Sequence, residues 1–425
     1  MKKKILLSLM VCVLAAFTLG GCASKSKQDA DQTASEGLKQ LNADTEDEHG
    51  AVTLKFWCDE SELAMFQQRI DQFIEESKSE ASIEVACEPV GASICKDTFL
   101  GDIDNGADVF YLPDDQMLAM VTSGVLEEVE DADKIAGRSL EDAAAAASVD
   151  GKLYAYPLTA DNGYFLYYDK RYFKEDDVKT LDRILEICAD NGKKFAMTWS
   201  SGWYLYSFFG NTGLDMGVNE DGLTNYCEWN AKKGKIKGTD IAQAMLAVAK
   251  HPGFQEADDE TKVQLMQDGT AIAVVSGIWD AETAKKSFGG DYGACKLPTY
   301  TCAGGQVQMS SFKGYRLLGV NSYSSHKEWA NRLADYLSSE ESQKFYFEQS
   351  QHGPANSNAA ASDEISKIPA IAAVMDQSEY GSLQTVGQKF WTPTMTFGNT
   401  MAAGNPNNIP LQDLMDQLAN GIAES

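Results

Sequence analysis

Val52-Thr53-Leu54-Lys55-Phe56-Trp57 alternates apolar and polar side chains, the period of a strand with one face in a core. Downstream of it, Leu63, Phe66, Ile70, Phe73 and Ile74 recur at helical spacing, so strand, loop and amphipathic helix follow in order. The unit repeats outward along the chain. Residues 83–87 and 107–111 read as strands, the second leading to a helix that Gly124 stops. Leu181, Ile184, Leu185 and Cys188 make a helix face ended by Asn191-Gly192, and residues 194–198 form the next strand. Thr239 is placed to cap a helix through Val248 that Pro252-Gly253 closes; 263–267 is helical, and 271–275 is a short apolar strand followed by Gly277-Ile278-Trp279-Asp280. The last expected strand, 315–320, precedes a helix with a capping box from Ser325 to Glu328 and apolar positions Trp329, Leu333, Tyr336 and Leu337. Strands alternating with helices predict an α/β fold whose sheets are mostly parallel and flanked by helices.

The start of the chain carries an address. Lys2-Lys3-Lys4 precedes an apolar run over 5–19, shorter than the roughly 20 residues a bilayer-spanning helix needs. Residues 1–21 therefore read as a signal peptide. Its end, Leu19-Gly20-Gly21-Cys22, resembles the bacterial lipoprotein signal, in which the cysteine is lipidated; Cys22 is then the anchor, on the extracytoplasmic face of the cell membrane. Residues 22–50 are rich in Ser, Gln, Asp, Glu and Ala, too poor in large apolar groups to offset the entropy of ordering, and are expected to be a flexible tether. The 375 residues from Ala51 onward suffice for two lobes of about 100 to 200 residues each.

Composition narrows the partners. A net charge of -27, from 63 acidic against 36 basic residues, opposes nucleic acid and anionic headgroups, so membrane contact is expected through the lipid anchor only. Arginine, the usual fork for carboxylate and phosphate ligands, occurs only at Arg69, Arg138, Arg171, Arg183, Arg316 and Arg332. A neutral ligand fits better than an organic anion or a peptide. His49, His251, His326 and His352 are scattered without metal-ligand spacing, and neither a metal nor a cofactor is expected. Cys87/Cys95 and Cys295/Cys302 are candidate disulfides, with free buried thiols equally compatible with the sequence.

In open α/β sheets ligands sit at the carboxyl ends of strands. Those ends carry Trp57 with Asp59 and Glu60, Tyr111 with Asp115, and Trp279. The order Asp108-Val109-Phe110-Tyr111, Ala155-Tyr156-Pro157, Leu166-Tyr167-Tyr168-Asp169-Lys170, Gly277-Ile278-Trp279, Gly319-Val320-Asn321 and Phe390-Trp391 resembles the maltose/maltodextrin-binding type of extracellular solute-binding protein, over the chain from about Val52. The resemblance implies two α/β lobes with a ligand cleft between them, closing by hinge bending. It assigns 51–160 and 316–358 to one lobe and 161–315 and 359–425 to the other. It implies a monomer that hands an oligosaccharide, maltodextrin first, to the permease of an ABC importer. By the same resemblance Trp57, Asp59, Tyr111, Asp115, Gln116 and the hinge-side Asp161 contact sugar, as do Trp203 with Tyr204, Trp279 and Trp391; Arg316 on a crossover strand is a further candidate. Leu112 stands where the best-known member has a tryptophan and Gln116 where it has an arginine, so linkage and chain length do not transfer.

Sugars offer apolar C–H faces and hydroxyl edges, which call for flat aromatic rings and for carboxylates or amides. Core packing is the plain alternative for each aromatic residue. A glycosidase using Asp59 and Asp115 as its carboxylate pair is the competing class; no Gly-x-Ser-x-Gly elbow or phosphate loop supports other catalysis. Tyr167-Tyr168 reads as a packed strand rather than an iron site, and Asn219-x-Asp221-Gly222 as a hairpin turn rather than a calcium loop.

Overall fold

The computed structural model describes residues 51–219 and 224–423. The expected signal peptide, Cys22 and the tether lie outside the described residues, as does the turn expected at Asp221-Gly222, although Met216–Val218 and Asn225–Cys227 on either side of it pair antiparallel. No helix among the described residues is long and apolar enough to cross a membrane.

Ten strands join in one sheet: β1 (Ala51–Cys58), β2 (Ser82–Pro89), β3 (Val109–Pro113), β4 (Ala155–Asp169), β5 (Lys194–Met197), β6 (Phe254–Glu256), β7 (Ala271–Gly277), β8 (Tyr292–Cys295), β9 (Ser311–Val320) and β10 (Gly381–Leu383). The order is β6-β5-β7-β4-β9-β3-β1-β2, with β8 also on β4 and β10 also on β9. Parallel pairing, expected for most of the sheet, holds for β1 with β2 and β3, β5 with β6 and β7, and β9 with β10. Every antiparallel pair within this sheet involves β4 or β9, so the sheet is mixed where these two long strands run through its middle.

Two large apolar cores hang on this sheet. One draws on residues between Val52 and Leu158 and between Tyr315 and Ala355, and packs β1 and β3 against helices Leu63–Ser77 and Lys327–Leu337. The other draws on Tyr164 to Phe312 and Phe390 to Ile422, and packs β4, β5 and β7 against helices Leu181–Asp190, Gly238–Ala249 and Leu411–Ala423. We call the parts built on them the β1 half and the β7 half. β4 and β9 pass from one to the other, and their register shifts between Gly314 and Leu317. The shift leaves the Tyr315 N–H outside the ladder, and Asp114 Oδ1 accepts it at 2.8 Å. A bulge at the crossing concentrates bending there.

Local details differ from expectation in three places. Helix Gly238–Ala249 begins before Thr239, and its cap is the Asp240 carboxylate accepting the Lys237 N–H at 2.9 Å. The Ser325 capping box does not form, because the helix starts at Lys327 and Ser324 Oγ takes the His326 N–H instead. The strand ending at Val320 is not the last, since β10 follows it. All seven cysteines among the described residues are free.

Candidate functional site

Trp279 follows the end of β7 and is 51 % exposed. Gly277 explains how. A Cβ there would stand 2.2 Å from the indole, so only glycine lets the ring lie back on the strand end with its outer face open. The Tyr167 hydroxyl donates to the Gly277 carbonyl at 2.9 Å and Ser276 Oγ to the Asp280 carboxylate at 2.5 Å, which pins the turn from both sides.

Trp203, partly buried on the short helix Gly202–Leu205, rests against Tyr164 and Phe312 at 5.5 and 5.6 Å between ring centres. Tyr164 also pairs with Gly277 across β4 and β7, so Trp203 and Trp279 are supported by the same strand end. Trp391 opens helix Trp391–Ala402, which comes unusually close: a Cβ on Gly398 would meet the Trp199 carbonyl oxygen at 1.8 Å, and one on Gly202 would meet Thr394 Oγ1 at 2.3 Å. These two glycines bring Trp391 beside the Trp203 helix.

Tyr204 does not join them. It is 2 % exposed, because consecutive helical residues point about 100° apart and Trp203 takes the outward direction. Its hydroxyl accepts from the Lys262 ammonium at 2.8 Å and donates to Asp259 at 3.1 Å. Lys262 is fully buried, and burial lowers its pKa while its ion pair with Asp259 at 2.5 Å works the other way. Tyr204 is thus a buried support, and Lys262, which the sequence reading did not single out, holds it.

The β1 half presents different chemistry. Trp57 is 4 % exposed, edge-on to Phe99, with its indole N–H donated to Glu88 at 2.8 Å. Tyr111 is 2 % exposed, under Phe66 and Arg316. Both were expected to stack on ligand, and both are core residues instead. Alternation fails at the end of β1, where Phe56, Trp57 and Cys58 are all buried, because both faces of the sheet are covered there.

The polar candidates divide in the same way. Asp59 Oδ1 accepts the Ala92 N–H at 2.8 Å, and Gln116 donates to the Ala92 and Ser93 carbonyls while accepting from the Lys96 N–H; together they bolt helix Ala92–Gly101 to the strand ends. Glu60 is exposed on the outer side of its turn. Asp115 is open to solvent beside the protein wall; desolvation by that wall raises its pKa, and Arg316 and Lys96 pull it back.

Asp161 is 8 % exposed and accepts the Gly353 N–H at 2.9 Å. His352 sits between it and Glu62, with Nδ1 3.0 Å from Asp161 and Nε2 2.6 Å from Glu62. Burial opposes charge on the imidazole, but hydrogen bonds to the two carboxylates outweigh it and push its pKa up to about 10. At neutral pH His352 is a cation donating both ways. Burial likewise works against the Asp161 charge, and His352 holds that carboxyl below its usual range. Glu62 and His352 escaped the sequence reading because the bridge joins positions 290 apart. Glu62 Oε2 is buried without a hydrogen-bond partner among the described residues.

Arg316 lies over the Tyr111 ring, its guanidinium carbon 5.4 Å from the ring centre. It makes no ion pair among the described residues, although Asp59, Glu62 and Asp161 are near enough to favour its charge. Its donors are therefore unspent. One half thus offers indole faces, the other a fork of donors among carboxylates, with the bulged crossing between them.

Comparison with known proteins gives consistent results. Galactooligosaccharide-binding protein of Bacillus subtilis (strain 168) is 26 % identical, with 97 % of this chain and 96 % of that protein covered. The maltooligosaccharide ABC transporter solute-binding lipoprotein of Streptococcus pneumoniae (strain ATCC BAA-255 / R6) is 24 % identical over 86 % of this chain and 83 % of its own. The solved maltodextrin-binding protein of L. casei BL23, without ligand, has the same two-lobed fold, with a TM-score of 0.73 and 22 % identity over 88 % of this chain and 99 % of that one. With its two cores this chain has that two-lobed architecture. Residues 68–373 match the family described as bacterial extracellular solute-binding protein, and the chain belongs to that family.

Proposed function

We propose that the protein captures a neutral oligosaccharide outside the cell and delivers it to the permease of an ABC importer. The observation that carries this reading is the outer face of Trp279, laid open by Gly277, with Trp203 and Trp391 on the same lobe. Indole faces stack on the C–H faces of sugar rings, and Arg316 with Asp115 offers donors and an acceptor for hydroxyls. The lobes divide at 51–160 with 316–358 and 161–315 with 359–425, a division that the separation of the two cores supports. Cys22 is the lipid anchor and 22–50 the tether. The protein binds without hydrolysing; Asp59, one of the two carboxylates a glycosidase would need, is committed to the Ala92 N–H.

The relatives name two sugar classes, so maltodextrin and galactooligosaccharide are both candidate ligands. Calorimetric titration with malto-oligosaccharides and with galacto-oligosaccharides tests the reading. Saturable binding of one series, with no shorter products on prolonged incubation, is the expected result. Binding of neither series would overturn it, and shortened products would make the protein a hydrolase.

A further inference from the structure

Stability alone gives Lys262 no reason to be where it is. Its side chain is fully buried on the first turn of helix Asp259–Gln267, where desolvation and the positive end of the helix both oppose an ammonium charge. The ion pair with Asp259 returns little, because the Asp259 side chain is 68 % exposed and solvated in any case. An apolar side chain of similar volume, such as methionine, would avoid both costs.

What the ammonium touches are the supports of two tryptophans. The first is Tyr204: Lys262 Nζ donates to its hydroxyl at 2.8 Å and lies 4.0 Å from its ring centre. Tyr204 follows Trp203 on helix Gly202–Leu205, and its ring packs on Tyr164, whose own hydroxyl donates to the Trp203 carbonyl at 2.7 Å. Holding Tyr204 therefore holds the rotation of the one-turn helix that presents Trp203. The second support is the turn after β7. Asp280, 9 % exposed, accepts from Ser276 Oγ and so closes the turn around Trp279. Burial raises the Asp280 pKa, and the Ser276 hydroxyl and the Lys262 charge pull it back. The same Ser276 hydroxyl stands beside that of Tyr204. One ammonium thus serves both seats, fixing Tyr204 by a hydrogen bond and favouring Asp280 as the ionised acceptor of the turn.

We propose that Lys262 is the positioning residue of the tryptophan face: without reaching the ligand, it keeps the Trp203 and Trp279 rings in the mutual register that receives a sugar. The inference rests on the sugar reading above and deepens it. Because Tyr204 and Asp280 are its two arms, its effect on affinity passes through the two indoles and shrinks when either is removed.

The test is calorimetry on the mature chain with malto- and galacto-oligosaccharides, with melting temperatures measured in parallel. Lys262→Met should weaken binding fivefold or more with the melting temperature held. In a Trp203→Ala or a Trp279→Ala background the same substitution should cost only about twofold, since effects that share a partner do not add. Tyr204→Phe, which keeps the ring and removes only the hydroxyl that the ammonium holds, should lose twofold or more, and it carries the test if Lys262→Met does not fold. A loss of the same size in every background, a loss that comes only with a lowered melting temperature, or no loss in either variant overturns the positioning role and leaves sugar binding standing. A wild type that binds neither series removes the sugar reading and the positioning role with it.

Discussion

Trp57 and Trp279 occupy corresponding places, each near the carboxyl end of a central strand, yet one is 4 % exposed and the other 51 %. At the end of β1 both faces of the sheet are covered, and Phe99 closes over the indole. At the end of β7 the chain turns at Gly277 and the ring folds back over the glycine. A strand-end aromatic becomes a binding surface only where the backbone gives it a seat outside the core. In the proposed function the lobes accordingly divide the work: the β7 lobe supplies the stacking faces, and the β1 lobe contributes Arg316 and the carboxylates around it.

The largest effect that would break this comparison is on stability. Trp57→Ala should cost about 3–5 kcal/mol, the usual loss for a buried aromatic side chain, read as a lower denaturation midpoint, while the protein that remains folded binds sugar with unchanged affinity. Trp279→Ala should do the reverse, leaving the midpoint nearly in place and weakening binding at least tenfold, or about 1.4 kcal/mol. If the two substitutions gave the same pattern, the division between lobes would be wrong. Arg316→Met should be milder, lowering affinity by up to about 1 kcal/mol, the net worth of a hydrogen bond exchanged with water, with the melting temperature held; an affinity equal to wild type would mean that the fork does not reach the ligand.

The smallest effect sharpens the account of the β1 lobe through pH. The folded pKa of His352 is raised from 6.5 to about 10, so its contribution to stability is complete below about pH 6.5 and is lost as pH rises through 10. Melting temperatures of wild type and His352→Gln should therefore differ most near pH 6 and converge as pH rises from there toward 10. A gap that stays constant across that window would contradict a charged imidazole between Glu62 and Asp161.

Periodicity made much of the fold legible. Alternation over 52–57 and helical spacing from Leu63 to Ile74 correspond to β1 and to helix Leu63–Ser77, because these signals lie within a few residues of one another. β10 spans only Gly381–Leu383, too short for any pattern, and its place is set by β9. The burial of Trp57 and Tyr111 depends on what covers the strand ends, and that of Tyr204 on which way a one-turn helix is rotated. The Glu62–His352–Asp161 bridge depends on contacts across 191 and 290 positions, which no local reading registers. The open seat of Trp279 could have been found, since the glycine two residues before it was part of the quoted motif.

A crystal structure of the mature chain with a bound oligosaccharide tests the central claim most directly. Sugar rings should lie flat on Trp279 and its neighbours Trp203 and Trp391, with the opposite lobe touching only hydroxyl edges through groups such as Arg316 and Asp115. A sugar stacked on Trp57 or Tyr111, or seated away from the three tryptophans, would contradict it.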